Sequence, residues 1–102
     1  MTGYVLSREA DHDLDELWNY IGEDSTDAAD RLTTKLLDSF EVLARHPGMG
    51  HKREDLTSHP VLFWPVGNYL VIYRGERSPI EIVAIVSGAR DIPTFLRSRG
   101  VE

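Results

Sequence analysis

The side chains best placed for chemistry are Arg90 and Asp91, which follow a hydrophobic run that ends at Ser87. A guanidinium can bind an anionic group of a partner, and a neighbouring carboxylate can orient it. Polar groups just past the end of a rigid strand are well placed to meet a ligand or another protein. The pair therefore predicts an anion-binding corner. The structural alternative is an internal ion pair, or Asp91 as the N-cap of a terminal helix that begins at Ile92.

Three further basic side chains are candidates for contacts with phosphate or another anion. Arg74 ends a second hydrophobic run, whereas Lys52 and Arg53 lie in a polar stretch. Glu54 and Asp55 follow that pair directly, so a solvated loop is the alternative interpretation there. The residues that we predict to bind a target or partner are Arg90, Asp91, Arg74, Arg53, Lys52 and Ser87.

No residue is assigned a catalytic role from the sequence. A serine hydroxyl such as that of Ser87 transfers protons poorly without an activating neighbour, and the absence of cysteine removes thiolate nucleophiles and thiolate metal ligands. The four histidines have no i, i+3 or i, i+4 spacing. Asp11, Asp13 and Asp15 alternate along a predicted helix, which spreads them over its surface rather than around one ion. We therefore predict neither a metal site nor a cofactor.

The length and net charge limit the classes of protein that fit. The chain has 102 residues, which favours one domain over residues 1–102. Its N-terminus lacks a basic region followed by an apolar run, and no apolar run is long enough to span a membrane. We therefore expect a cytoplasmic protein with no membrane partner. The net charge of −6 argues against direct binding to nucleic acid, because phosphate contacts supply much of that affinity.

The charge is divided unevenly along the chain. Residues 1–44 carry three basic and eleven acidic side chains, a net of −8, whereas residues 45–102 carry eight basic and six acidic side chains, a net of +2. Such a division suggests two faces with different partners. Two solvated helix faces are the simpler explanation of the acidic half.

Helical periodicity dominates the first half of the chain. A short apolar strand at residues 4–6 precedes Ser7, whose hydroxyl can cap a helix. Apolar residues then recur on one helical face. Asp27 is the predicted N-cap of a second helix, whose apolar stripe runs from Leu32 to Leu43. The short connection predicts that the two helices pack as an antiparallel hairpin.

Three strand candidates fill the second half, at residues 61–64, 69–74 and 80–86. Short turn sequences separate them, which suits hairpin connections between antiparallel strands. Residues 92–96 are predicted to add a short terminal turn or helix that packs back on the sheet. The sequence therefore predicts an α+β fold of order β-α-α-β-β-β, with one helical layer on one sheet.

Four segments, taken in order, resemble a known family. They are Tyr-Val-Leu-Ser-Arg-Glu-Ala at 4–10, Leu-Ala-Arg-His-Pro-Gly-Met-Gly at 43–50, Trp-Pro-Val-Gly-Asn-Tyr at 64–69 and Gly-Ala-Arg-Asp at 88–91. This pattern resembles the RelE/ParE superfamily of bacterial toxins from type II toxin–antitoxin pairs, and it is most similar to the ParE branch. The resemblance extends over residues 4–96 and implies the same fold.

The resemblance implies the toxin component of such a pair, neutralised by a cognate antitoxin in a hetero-oligomer. In the ParE branch the implied target is DNA gyrase, and inhibition by binding implies that the protein is not an enzyme. The alternatives are a ribosome-dependent mRNA endonuclease of the RelE type and a non-toxic binding module with the same fold. Ser87 stands where the superfamily often has His, and Leu62 stands where many relatives have Arg. Both departures weigh against the nuclease.

Overall fold

The computed structural model describes residues 3–101, and its four strands form one mixed sheet with the order β1-β4-β3-β2. The elements are β1 (Tyr4–Leu6), α1 (Arg8–Gly22), α2 (Thr26–Arg45), β2 (Leu62–Val66), β3 (Tyr69–Arg74), β4 (Ile80–Ser87) and α3 (Ile92–Ser98). β1 runs parallel to β4, while β3 pairs antiparallel with both β2 and β4. The predicted α+β order is confirmed, although β2 begins and ends later than expected.

Side-chain caps begin both long helices. The Ser7 hydroxyl accepts a hydrogen bond from the Ala10 N–H at 3.0 Å, as predicted, and it also donates to the Val83 carbonyl at 3.2 Å. The predicted cap of α2 is wrong, because Ser25 rather than Asp27 accepts the first-turn N–H, at 3.1 Å. Asp27 lies inside the first turn, where the positive end of the helix dipole favours a carboxylate.

The helix hairpin covers one face of the sheet and encloses the larger core. The apolar stripe of α2 that runs from Leu32 to Leu43 faces the sheet, as its spacing predicted. Burial of each large apolar side chain contributes about 1.5–3 kcal/mol, so this face supplies much of the stability. The buried members are Ala10, Leu17, Leu36, Phe40, Leu43, Val66, Val71, Tyr73, Ile80, Ile82 and Ile85.

A second core lies on the opposite face of the sheet, under α3. The expectation of a single helical layer is therefore wrong, because helices cover both faces. The continuous apolar run in β3 fits this arrangement, since a strand buried on both faces needs apolar residues at every position. Residues 92–96 do form a helix that packs back on the sheet, as predicted. The buried members are Val61, Phe63, Ile72, Ala84, Val86, Ile92, Phe95, Leu96 and Val101.

An extra residue at Val83 changes which side chains of β4 face each core. Ile82 and Ala84 pair with consecutive residues of β3, so Val83 has no register partner in that strand. Such a bulge shifts the alternation of side chains, and Ile82 and Ile85 consequently face the same core. The hydrogen bond from the Ser7 hydroxyl to the Val83 carbonyl ties the start of α1 to the bulge.

Tyr73 fixes the loop that follows α2. Its hydroxyl donates to the Pro47 carbonyl at 2.8 Å and accepts from the Gly50 N–H at 2.9 Å. Burial raises the pKa of the Tyr73 phenol, which favours the neutral form that can donate. A Cβ at Gly50 would lie 2.5 Å from Tyr73 Oη, so this close approach requires glycine.

We expect Tyr73→Phe to lower the free energy of unfolding by about 1–3 kcal/mol, because the Pro47 carbonyl and the Gly50 N–H lose their partner. Gly50→Ala should destabilise by about the same amount, since its methyl group would overlap the phenol. Urea denaturation followed by circular dichroism measures both values. Tyr69→Phe is the matched control, because the hydroxyl of the half-buried Tyr69 makes no hydrogen bond within residues 3–101. Equal stability of Tyr73→Phe and the wild type would contradict the assigned role of the hydroxyl.

Candidate functional site

The predicted anion-binding corner is a tight turn at the end of β4. The Arg90 N–H donates to the Ser87 carbonyl at 3.1 Å, and the Gly88 N–H donates to the Asn68 carbonyl at 2.8 Å. The Ser87 hydroxyl accepts from the Ala89 N–H at 3.3 Å. These hydrogen bonds anchor the corner to the sheet, and they occupy the Ser87 hydroxyl within the turn.

The Arg90 side chain is exposed and has no counter-ion in the described part of the chain. Its guanidinium lies over the ring of Phe95, with 5.3 Å between Cζ and the ring centroid. It forms no ion pair with a carboxylate of residues 3–101, so the alternative of an internal pair with Asp91 is wrong. A cation held over an aromatic ring and left unpaired is available to an anionic group of a partner.

Asp91 is the N-cap of α3, as the structural alternative predicted. Its Oδ1 accepts from the Thr94 N–H at 3.2 Å. This backbone bond, the Thr94 hydroxyl and nearby Arg97 together lower the pKa of the Asp91 carboxyl. Pro93 lies in the first turn, where its missing N–H would have had no partner within the helix, so proline suits this position. The carboxylate therefore begins α3 and does not contact the Arg90 guanidinium.

Arg74 lies at the opposite end of the sheet from Arg90. Because β3 and β4 are antiparallel, Arg74 pairs with Glu81 at the start of β4, whereas Arg90 follows the end of that strand. The Arg74 Nε lies 3.4 Å from Glu81 Oε1, and Arg77 Nη1 lies 3.2 Å from the same oxygen. Arg74 and Arg90 therefore cannot bind one phosphate together.

Lys52 and Arg53 occupy a third place, in the loop beside the outer edge of β2. His51 pairs with Phe63 across that edge. Arg53 makes a bidentate ion pair with Asp55 at 3.0 and 2.9 Å, and this contact holds the pKa of the Asp55 carboxyl below its usual value. Lys52 is exposed and makes no ion pair within residues 3–101. The six predicted residues therefore lie in three separate places, and the β4 corner holds three of them, Ser87, Arg90 and Asp91.

A buried carboxylate of α1 connects β4 to the end of α3. Asp13 is 9% exposed, and its Oδ1 lies 2.6 Å from Arg99 Nη2. Its Oδ2 accepts hydrogen bonds from Arg99 Nη1 at 3.2 Å and from the Ile85 N–H at 3.1 Å. One side chain of α1 thus joins the edge of β4 to the residue that follows α3.

Asp13 is the important residue that the sequence interpretation missed. The expectation that it lies on the helix surface with Asp11 and Asp15 is wrong, because only those two are exposed. Asp13 follows Ala10 by three residues and precedes Leu17 by four, and both of these apolar residues are buried. Residues at these spacings share one face of a helix, so the pattern already placed Asp13 on the inward face.

A groove runs between α1, the outer edge of β4 and α3, and we call it the β4-edge groove. Its volume is about 540 Å³, and Tyr20 at its rim is 72% exposed. Asp13 neutralises Arg99 there, whereas Arg90 has no counter-ion in residues 3–101. The combination of aromatic surface and one unpaired guanidinium suits binding to a protein segment. The residues that line this groove include Asp13, Glu16, Leu17, Tyr20, Tyr69, Ser87, Arg90 and Arg99.

Other kinds of site receive no support from residues 3–101. No three His, Asp or Glu side chains gather there in a way that could hold a metal ion. The same residues contain no helix with the length and apolar character that crossing a bilayer requires.

Comparison with known proteins gives a consistent picture. The sequence profile of the family described as "ParE toxin of type II toxin-antitoxin system, parDE" matches residues 4–92. Toxin ParE1 of Caulobacter vibrioides is 34% identical over 88 residues, which cover 84% of this chain and 88% of that protein. A solved structure described as "Chromosomal ParDE TA system from P. aeruginosa" superposes with a TM-score of 0.69 at 18% identity, over 85% of this chain and 96% of that one. This last likeness concerns the fold.

We expect Asp13→Ala to lower the free energy of unfolding by about 2–4 kcal/mol, because the Arg99 guanidinium and the Ile85 N–H both lose a buried partner. Urea denaturation measures the change. Asp15→Ala is the matched control, because Asp15 lies on the exposed face of the same helix and its loss should cost less than about 0.5 kcal/mol. Equal effects of the two substitutions would contradict a structural role for Asp13.

Proposed function

The chain belongs to the ParE toxin family of type II toxin–antitoxin systems, and we propose that it inhibits DNA gyrase by binding and is neutralised by a cognate antitoxin. The observation that carries this proposal is the family match over residues 4–92, which spans every element from β1 to the start of α3. We further propose that the protein acts in the cytoplasm, where gyrase works.

The arrangement of polar groups favours inhibition by binding over catalysis. Acid–base cleavage of RNA needs a base, an acid and cations around one phosphate. Within residues 3–101, Arg74 and Arg90 lie at opposite ends of the sheet, and the Ser87 hydroxyl is held by its own turn. These positions support a toxin that is not an enzyme.

An antitoxin partner is implied by the ParDE relatives, and we propose that the two chains form a hetero-oligomer. Residues 45–102 carry a net charge of +2 beside the acidic first half, which gives an acidic antitoxin segment a favourable surface. Folding of a disordered tail onto that surface can bury a large area, so the dissociation constant should be on the order of nanomolar or lower.

We expect a stable complex when the chain is co-expressed with the small protein encoded by the adjacent reading frame. The chain carries an affinity tag, and the partner is identified in the eluate after a high-salt wash. Co-purification of the neighbour in a fixed ratio supports the proposed pairing. Failure of the neighbour to bind the purified chain would contradict it.

We also expect the purified chain to reduce the supercoiling of relaxed plasmid by DNA gyrase, and the antitoxin to restore it. Primer extension on transcripts from induced cells should find no new cleavage. Cuts at codon positions in translated mRNA, with unchanged supercoiling, would contradict the proposal and favour the mRNA endonuclease. Silence in both assays, with normal growth, would favour a non-toxic binding module.

Arg90→Ala should reduce growth inhibition far more than it reduces stability. Loss of a guanidinium that meets an anionic group in an interface costs about 2 kcal/mol or more of binding, whereas an exposed arginine contributes about 0–1 kcal/mol to folding. Viable counts after induction and thermal melting measure the two effects. Arg97→Ala is the matched control, because Arg97 is exposed on α3 and does not line the β4-edge groove. Full toxicity of Arg90→Ala would contradict the assignment of Arg90 to the target-binding surface.

A further inference from the structure

We propose that Phe95 is a positioning residue for target binding, because its ring fixes the guanidinium of Arg90 in the orientation that meets an anionic group of gyrase. The inference rests on the proposed function, since it assumes that Arg90 belongs to the target-binding surface. It adds a second residue to that function, one that acts through Arg90 rather than by touching the target.

The backbone fixes these two residues relative to each other. Arg90 ends the tight turn after β4, where its N–H donates to the Ser87 carbonyl at 3.1 Å. Asp91 follows directly and caps α3 with its side chain. Its carbonyl accepts from the Phe95 N–H at 3.0 Å, in the first turn of that helix. The chain between Arg90 and Phe95 is therefore held at both ends by hydrogen bonds.

The Phe95 ring has little freedom of its own, because it is part of the second core. It is 5% exposed and belongs to the buried cluster that includes Val86 and Ile92. A close-packed interior holds its side chains in defined rotamers. The ring is therefore a rigid support, whereas an unsupported arginine has many rotamers and loses that freedom when it binds.

The exposed Arg90 guanidinium lies on this support. Its Cζ is 5.3 Å from the ring centroid, within the distance at which an aromatic ring attracts a cation. Stacking uses the flat face of the guanidinium and leaves its N–H donors available to a carboxylate or another anion. The contact thus orients the donors without occupying them, and such preorganisation lowers the entropic cost of binding.

A second guanidinium contacts the same ring, and Asp13 reduces the conflict between the two charges. Arg99 Cζ lies 4.6 Å from the ring centroid, and Arg99 Nη2 lies 2.6 Å from Asp13 Oδ1. The carboxylate offsets the repulsion between two cations around one ring. Arg99 donates both of its bonds to Asp13, whereas Arg90 makes no ion pair within residues 3–101.

The remaining charged residue of the β4-edge groove does not occupy Arg90 either. Glu16 lines the groove, and its Oε1 lies 2.8 Å from His12 Nε2. The groove carries both signs of charge, so its net charge does not select a ligand. Arg90 differs from the other charged residues there in having a ring to orient it and no carboxylate partner within residues 3–101.

The test measures the affinity of purified full-length variants for DNA gyrase by biolayer interferometry, as a double-mutant cycle between positions 90 and 95. Phe95→Leu, and replacement of Phe95 by trifluorophenylalanine, should each weaken binding about two- to fivefold. Fluorine withdraws negative charge from the faces of the ring, so the second variant weakens the cation contact without opening a cavity in the core. In the Arg90→Ala background, neither change should weaken binding further.

Phe63→Leu is the matched control for loss of core packing. Phe63 is buried in the same core on β2, and within residues 3–101 no guanidinium lies over its ring. Thermal melting should show that Phe63→Leu and Phe95→Leu lose similar amounts of stability. Phe63→Leu should nevertheless bind gyrase with the affinity of the wild type.

Three results would overturn the positioning role while gyrase binding by the wild-type chain stands. The first is wild-type affinity of the trifluorophenylalanine variant or of Arg90→Ala. The second is an equal loss of affinity when Phe95 is changed in the Arg90→Ala background, and the third is an equal loss in Phe63→Leu. Absence of gyrase binding by the wild-type chain would overturn the proposed function, and this inference with it.

Discussion

The buried carboxylate of Asp13 is the constraint on which the arrangement of α1, β4 and α3 depends. A charged group excluded from water is stable only with close partners, and Asp13 takes its partners from two other elements. It accepts the Ile85 N–H from the edge of β4 and the Arg99 guanidinium from the residue that follows α3. Within residues 3–101 the strand β1 pairs only with residues 80–82 of β4. Beyond them, the Ser7 hydroxyl donates to the Val83 carbonyl and the Asp13 carboxylate accepts from the Ile85 N–H.

The edge of β4 pairs first with β1 and then with the side chains of Ser7 and Asp13, and this change of partners produces the β4-edge groove. Where a strand would have covered the edge, a helix lies beside it and a groove remains between them. The Asp13 carboxylate that binds the Ile85 N–H of β4 also pairs with Arg99 at the end of α3, and Phe95 of α3 contacts both Arg99 and Arg90. The paired and the unpaired arginine thus share one aromatic ring. Arg99 pairs with Asp13, whereas Arg90 has no counter-ion within residues 3–101.

Local patterns in the sequence predicted the elements and the corner but not the contacts between distant residues. Ser7 and Asp91 were recognisable as caps because a capping side chain acts within three residues of itself. The partners of Asp13 are 72 and 86 residues away along the chain, and no periodicity reports such separations. Arg74 and Arg90 were both predicted to bind an anion because each stands at or just past the end of an apolar run. The antiparallel pairing of those strands separates them, and that pairing became visible only with the sheet.

The most direct test of the central claim, that the protein inhibits its target by binding, is the affinity of the purified chain for purified DNA gyrase. We expect the wild-type chain to bind, and Arg90→Ala to bind at least about tenfold more weakly while it unfolds at the same temperature. No binding by the wild-type chain, or equal affinity of the wild type and Arg90→Ala, would contradict the account.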